Sequence, residues 1–564
     1  MSVFIGYPSF MAYQMMKGKK GNNDDDFPSI SGIIARYSAL GLTNEQMAAN
    51  PVWVDKTGNG HDLQMKNFDW SGMSGVGGYV QNFNDFRNNA TVDKVRIDEQ
   101  SSNSVKVTIL ATGINNAIYI PKNIYQFNKS YFIKISSEGY NEGDLSLLFY
   151  ALSTSTATTV KVPLNPNGIT EIPAIKEDDF LAVYLNVGGK VGSITIEQLP
   201  LYPGALVFDG VDDYGTCNNF PILTKEKGYT VVALRQWISM GKGISGLVSN
   251  VKNWFNDGAF VLEYNSNNAT NKFVNRPVSF GNVNIERDLP NNFTYQTSKS
   301  YKGVPITTGS FKGTNSLFVG KLNNIIGNCS NVAIWELVFL DHDATEEELT
   351  KIKDYFVKTY PWLFFDQAWT VVGKTNEDED RATIANITGN GNDLVLSNFG
   401  FAEGSGYNEE GEYAGYLVTD GVDDEIISAK LIQFADKFTI VGDWKFMEDR
   451  NDNAGLLKAN QIYIYNATTG MRIYLKQGSK NYPFSCKKIN ALTSDGWVYD
   501  EKWDKYKVYP IGSDIDISSR LFLGFYSSNF TKIALKNLGI YNDQLLSKDD
   551  CIKAYNYLQT LKAK

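Results

Sequence analysis

Histidine is nearly missing from this chain: its 564 residues contain two, His61 and His342. Two imidazoles cannot furnish several general-base or metal sites, so any catalytic reading must lean on carboxylates. Cysteine is almost as scarce. Cys217, Cys329, Cys486 and Cys551 lie far apart with no Cys-x-x-Cys spacing. That signals neither a zinc site nor a dense disulfide framework, and leaves reduced, mostly buried thiols as the expectation. No apolar run approaches the roughly 18 residues that cross a bilayer as a helix, so no membrane partner is expected. Positive charge is not in excess either. A net charge of −9 opposes a nucleic-acid backbone as partner, because phosphate binding needs a basic surface. The N-terminus, MSVFIGYPSFMAYQMMKGKK, places its basic residues after the apolar stretch and offers no small-residue cleavage site. It does not read as a signal peptide, so export by the ordinary secretory route is not expected.

What the chain does have is 32 Tyr, 32 Phe and 49 Gly, a mixture suited to strands joined by tight turns. Its length exceeds the about 100–200 residues that one domain usually organises, so two to four domains are expected. Internal similarity then sets the plan. TGNGHDLQMKNFDWSGMSG (57–75) aligns without gaps to TGNGNDLVLSNFGFAEGSG (388–406), identical at ten of nineteen positions. Upstream, Gly41-Leu42-Thr43-Asn44-Glu45 matches Gly373-Lys374-Thr375-Asn376-Glu377. GALVFDGVDD (204–213) matches AGYLVTDGVDD (414–424), each followed by an aromatic-Thr-β-branched strand, Tyr229-Thr230-Val231-Val232 or Phe438-Thr439-Ile440-Val441. Each unit closes with a strand and a short helix, opened by Thr345 with Glu348 or Ser547 with Asp550 in capping-box spacing.

Gly58 and Gly210 are 152 residues apart, whereas Gly389 and Gly421 are 32 apart. About 120 residues are therefore inserted in the first copy. The insert contains no Trp, Cys, Met or His and alternates strongly, as in SVKVTIL (104–110), the pattern of half-buried strands. The expected division is an N-terminal anchor and tether (1–28), a first sandwich split into 29–82 and 201–363, an inserted β-sandwich (83–200) and a second copy (364–564).

The FDGVDDY strand, the aromatic-Thr-Val-Val strand, the late Phe318-Val319-Gly320 strand, NVAIWELVFLD and the capped terminal helix together resemble the concanavalin A-like, laminin-G-type lectin/glucanase family. The resemblance implies an all-β fold of tandem jelly-roll sandwiches, the first interrupted by a smaller sandwich. The TGNG unit, the inserted β-domain ending in QLPLYPGALVFDGVDDY and the leaderless start are similar to virion proteins of tailed phages of gut Bacteroidales, including crAss-like phages. That similarity implies a head or tail fibre or decoration at the particle surface, with host or mucus glycans as partners. A capsule or glycan depolymerase and a bacterial surface adhesin stand as alternatives.

Glucanases on this fold carry Glu-x-Asp-x-x-Glu along one strand, and no such motif occurs here, so no catalytic residue is nominated. Two acidic turns, Asp209 with Asp212 and Asp213 and Asp420 with Asp423 and Asp424, could offer carboxylates to calcium, which needs six to eight oxygens. Read plainly, each Asp-Gly supplies turn geometry. No other cofactor is signalled. Sugar recognition in water uses aromatic faces, and Trp254, Trp497, Tyr499 and Trp503 are the candidates. At the N-terminus, Phe4, Tyr7, Phe10 and Tyr13 recur every third residue ahead of a Gly- and charge-rich stretch. They are the candidate anchor onto other virion proteins, with a homo-oligomer (dimer or trimer) multiplying their grip.

Overall fold

The computed structural model describes residues 26–563 apart from 152–158, 178–179, 240–244, 252–259, 266–272, 276–282, 286–292, 306–313, 324–327, 389–390, 448–453, 460–461, 468–469, 476–477, 482–487, 501, 508–516 and 527–528. Within that span the chain is all-β, and its named strands pair antiparallel. Helix is confined to α1 (Asn44–Ala49), α2 (Glu346–Thr359), α3 (Lys548–Gln559) and 3-10 turns among the described residues.

The two matched sequence units form matched sheets. In the first, Thr230–Ser239 runs beside Asn331–Leu340, which also pairs with Leu206–Asp209 and Ile33–Ser38. In the second, Phe438–Phe446 runs beside Ile533–Asn542, which also pairs with Tyr416–Val418 and Gln367–Thr370. Each of these sheets has eight strands, and each faces a second eight-stranded sheet. Side chains from both layers fill the space between: Trp53, Leu63, Phe208, Val231 and Ile334 in the first unit, and Trp369, Leu394, Ile440, Trp444 and Leu535 in the second. Each such side chain removed from water contributes about 1.5–3 kcal/mol.

Residues from Arg87 to Gln198 make two five-stranded sheets of their own. Ser104–Ile109 buries every second residue, Val105, Val107 and Ile109, as its alternation requires. These pack with Ile133, Phe149, Leu185 and Ile194 in a separate core. The two crossings into this unit lie side by side, because the Gln81 backbone N–H donates to Gln198 Oε1 (2.9 Å) and Gln198 Nε2 donates back to the Gln81 carbonyl (3.0 Å).

A further apolar cluster joins the units. It takes Val232, Trp335 and Leu340 from the first sandwich, Ile352 and Phe356 from α2, and Val441, Tyr541 and the α3 residues Tyr555 and Leu558 from the second. Phe132 of the insert enters the same cluster edge-on to Tyr555, ring centroids 5.3 Å apart. The helices are placed there by their caps. Thr345 and Glu348 form the reciprocal capping box. Ser547 accepts from the Asp550 N–H, while its hydroxyl donates to the Asp550 carboxylate. Glu348 accepts from both the hydroxyl and the backbone N–H of its cap, and Asp550, one methylene shorter, accepts from the Ser547 hydroxyl.

Candidate functional site

The proposed aromatic sugar platform is not an exposed one. Trp503 and Tyr499 are 2% and 5% exposed, which corrects the expectation for both. α3 supplies Tyr555, which stands perpendicular to Trp503 at 5.6 Å, and Tyr499 packs beside Trp503 at 6.2 Å. Burying rings of this size is worth more than leaving them for a ligand. Trp497 is half-buried, with Lys505 and Lys507 ammonium groups each 4.5 Å from its ring. A sugar stacking there must displace cation–π contacts. Trp254, and the anchor candidates Phe4, Tyr7, Phe10 and Tyr13, lie outside the described residues.

Both acidic turns bring their three carboxylates together, with oxygens within 4.8 Å of one another. Their local networks repeat bond for bond. Asp213 accepts from the Asp209 N–H (3.0 Å) and the Ser74 hydroxyl (3.0 Å). Asp424 accepts from the Asp420 N–H (2.7 Å) and the Ser405 hydroxyl (3.0 Å). Gly210 and Gly421 adopt φ of +81° and +73°, the left-handed geometry that glycine enters without penalty. Burial pushes the Asp213 carboxyl up to about 8, and neighbouring Asp209 and Asp212 push the same way against its hydrogen bonds. Asp424, less buried, rises to about 6. Each innermost carboxyl ties its acidic turn to the matching Ser71–Ser74 or Ala402–Ser405 turn.

Three buried charge centres were not legible as sites in the sequence. Inside the first sandwich, Glu263 receives Arg235 Nε (2.8 Å), Trp237 Nε1 (2.9 Å), Thr294 Oγ1 (2.7 Å) and the Tyr301 hydroxyl (2.8 Å). Burial alone would raise Glu263, but Arg235 outweighs it and holds the carboxyl down at about 2. On the outer face of the same unit, Glu336 pairs with Arg36 Nε (3.2 Å) and accepts from the Tyr360 hydroxyl (2.8 Å).

The third centre lies on the outer face of the second sandwich, where the insert meets it. Asp443, fully buried, contacts Lys488 Nζ at 2.9 Å and accepts from the Tyr416 hydroxyl at 2.9 Å. Burial raises its pKa, but Lys488 and Lys536 more than cancel that and keep it ionised. Glu171 of the insert reaches across to Lys488 (3.8 Å) and Lys536 (3.9 Å). Lys445 stands alongside, its ammonium 4.6 Å from the Tyr416 ring and 4.9 Å from the Tyr413 ring. Finding this group from sequence requires the register of three strands and the docking of a segment more than 270 residues upstream.

No protein-family model matches the chain, and no curated protein matches it. Solved structures similar to it include Trypanosoma rangeli sialidase, with TM-score 0.24 and 11% identity over 85% of this chain and 94% of that one. Another is the Botulinum neurotoxin serotype D binding domain, with TM-score 0.24 and 12% identity over 59% of this chain and 88% of that one. Likeness of that degree supports no conclusion about fold or activity.

Proposed function

We propose that this chain is a non-catalytic structural protein of a tailed-phage particle, a head or tail fibre or decoration, that presents glycan-binding β-sandwiches to a host surface or mucus. On this reading the two eight-plus-eight-stranded units are concanavalin A-like jelly rolls. The observation that supports it best is the apolar cluster shared by Trp335, Phe356, Tyr541, Tyr555 and Phe132. A display protein needs its modules held in fixed relation so that weak sites act together. The buried carboxylates at Glu263, Glu336 and Asp443 are each engaged by cations and hydroxyls of the fold, an arrangement suited to holding strands in register.

Mass spectrometry of gradient-purified particles, with antibody labelling of intact particles, tests the reading. The protein is expected at stoichiometric occupancy on the particle surface, and removal of residues 1–26 is expected to abolish incorporation while leaving the sandwiches folded. Absence from particles overturns it. So does release of reducing ends from capsular or mucin polysaccharide that a single Asp or Glu substitution abolishes.

A further inference from the structure

Of the Phe and Tyr residues between 83 and 200, all but Tyr119, Tyr150 and Tyr184 are buried. These three share one surface. They stand on the neighbouring strands Asn116–Pro121, Ser146–Ala151 and Phe180–Asn186, whose alternate residues Ile118, Phe149 and Val183 point into the core of the insert. Tyr119 lies directly across from Tyr184, ring centroids 5.6 Å apart, and Tyr150 meets Tyr184 edge-on at 6.1 Å. The same cross-strand row continues to Arg87 on one side, and through Leu148 to Lys161 on the other. Beside the row, Asn186 Nδ2 donates to Asn116 Oδ1 (3.0 Å). No Asp or Glu stands on any of the five strands of this sheet. The insert's other sheet differs in both respects. Its outward residues include the charge pairs Arg96 with Asp98 and Lys106 with Glu99, and part of its face meets the second sandwich through Phe132 and Glu171.

We infer that this tyrosine face is a platform for an extended, β-linked glycan chain laid across the strands. The inference rests on the glycan-binding half of the reading above and is independent of where the protein sits. Four observations select the occupant. A single strand tyrosine needs no ligand, but confining every part-exposed aromatic ring of the insert to one face is what stacking on successive sugar rings requires. The three hydroxyls make no hydrogen bond among the described residues, so the polar tips of the rings remain for sugar oxygens. Arg87 and Lys161, exposed and without an ion pair among the described residues, bracket the row as charged donors, the stronger kind of hydrogen-bond partner for those oxygens. The last observation is size. The tyrosines cross three strands, about 10 Å, which suits a short length of glycan and falls far short of the roughly 800 Å² that each partner gives to a standard protein interface. A chain lying on a sheet needs no cavity, because ring faces and donors are presented along one line at the surface.

The test uses the full chain with cellohexaose, cellobiose and maltohexaose, followed by saturation-transfer NMR and calorimetry. Cellohexaose, an extended ribbon, is expected to bind about tenfold more tightly than cellobiose, which covers less of the row, and than maltohexaose, which coils. Tyr184→Ala should weaken cellohexaose about tenfold, the worth of one stacked ring, and Tyr184→Phe should retain most of the affinity. Arg87→Gln, at an exposed edge position, should weaken it severalfold with an unchanged melting transition, and it carries the test if the alanine variant does not fold. Cellohexaose binding that survives both Tyr184→Ala and Arg87→Gln overturns the platform and moves glycan binding to another surface. Equal binding of maltohexaose, or binding of no probe, overturns the β-linked assignment, whatever antibody labelling of particles shows. An oligomer in sedimentation equilibrium that Tyr184→Ala dissociates overturns it as well, and gives the face to a second copy of the chain.

Discussion

The two sandwiches share strand order, turn networks and a capped terminal helix, yet they neutralise their outer sheet faces in opposite ways. The first seals its face with Trp335 and buries Glu336 against Arg36, whose guanidinium lies 4.2 Å from the Phe27 ring. The second leaves lysines there and completes the charge pattern with Glu171, borrowed from the insert. Duplication conserved what a strand needs to pair and turn. It released the outward positions, whose side chains answer only to whatever packs on them.

Substitutions at register-equivalent positions should break this symmetry most sharply. Trp335→Ala removes a fully buried indole and orphans the Pro203 carbonyl, so a loss of about 3–5 kcal/mol is expected. Lys536→Ala, at the matched position, should cost less than about 1 kcal/mol because its ion pair is long and its neighbours remain satisfied. Chemical denaturation of both variants measures the contrast, and equal losses would dissolve it.

The buried pairs sharpen the comparison next. Arg36→Met leaves the fully buried Glu336 with the Tyr360 hydroxyl but no cation and should cost about 3–5 kcal/mol, the usual consequence of removing the charge partner of a buried ion. Lys488→Met leaves Asp443 with the Tyr416 hydroxyl and nearby Lys536, so about 1–3 kcal/mol is expected. Melting curves that show Lys488→Met as the more damaging change would mean that the insert-facing cluster, and not the Arg36 pair, anchors its sheet.

A smaller effect separates the two acidic turns by pH. Asp213 and Asp424 have folded pKa values raised to about 8 and about 6. The folded state therefore holds more protons than the unfolded chain between the ordinary carboxylate range and those values, and stability must fall as pH rises across that window. The melting temperature should decline from pH 5 to pH 8.5, where 1 kcal/mol corresponds to about 2–4 °C for a domain of this size. Asp213→Asn should flatten most of the slope and Asp424→Asn less of it, as differential scanning calorimetry at stepped pH would record. A melting temperature that rises over that interval would contradict the protonated state.

The smallest expected effect concerns calcium. With each innermost carboxyl already holding a backbone N–H and a serine hydroxyl, millimolar calcium and a chelator should give melting temperatures within about 1 °C of each other. A rise with calcium that Asp209→Asn or Asp420→Asn removes would turn either acidic turn into a ligand set.

Much of this organisation is legible because its residues recur at matched positions of the two copies. Asn44 and Asn376, matched in the sequence, each clamp a strand 31 or 32 residues onward, accepting from the Val76 and Tyr407 N–H groups respectively. Asp55 and Asn386 each cap the threonine two residues later. Turn chemistry of this kind is written within a few residues and survives duplication. For the candidates Trp497, Tyr499 and Trp503, the sequence shows that aromatics cluster without revealing what covers them. Tyr555, about fifty residues downstream, decides the fate of Trp503. Charge centres such as Glu263 and Asp443 were invisible for the same reason, since their partners come from strands that only the folded sheet makes neighbours.

The paired amides of Gln81 and Gln198 bring the two ends of the intervening stretch to a single point. In genetic terms that point is a junction across which one coding segment can be exchanged for another without altering the distance the flanking chain must span. The exchange is not free. A replacement has to present its own hydrophobe to Tyr555 and its own acid to Lys488 and Lys536, or leave the second sandwich with an uncovered aromatic and unbalanced charge. Recombinants at this junction should therefore retain residues facing α3 even where the rest of the cassette has diverged beyond alignment.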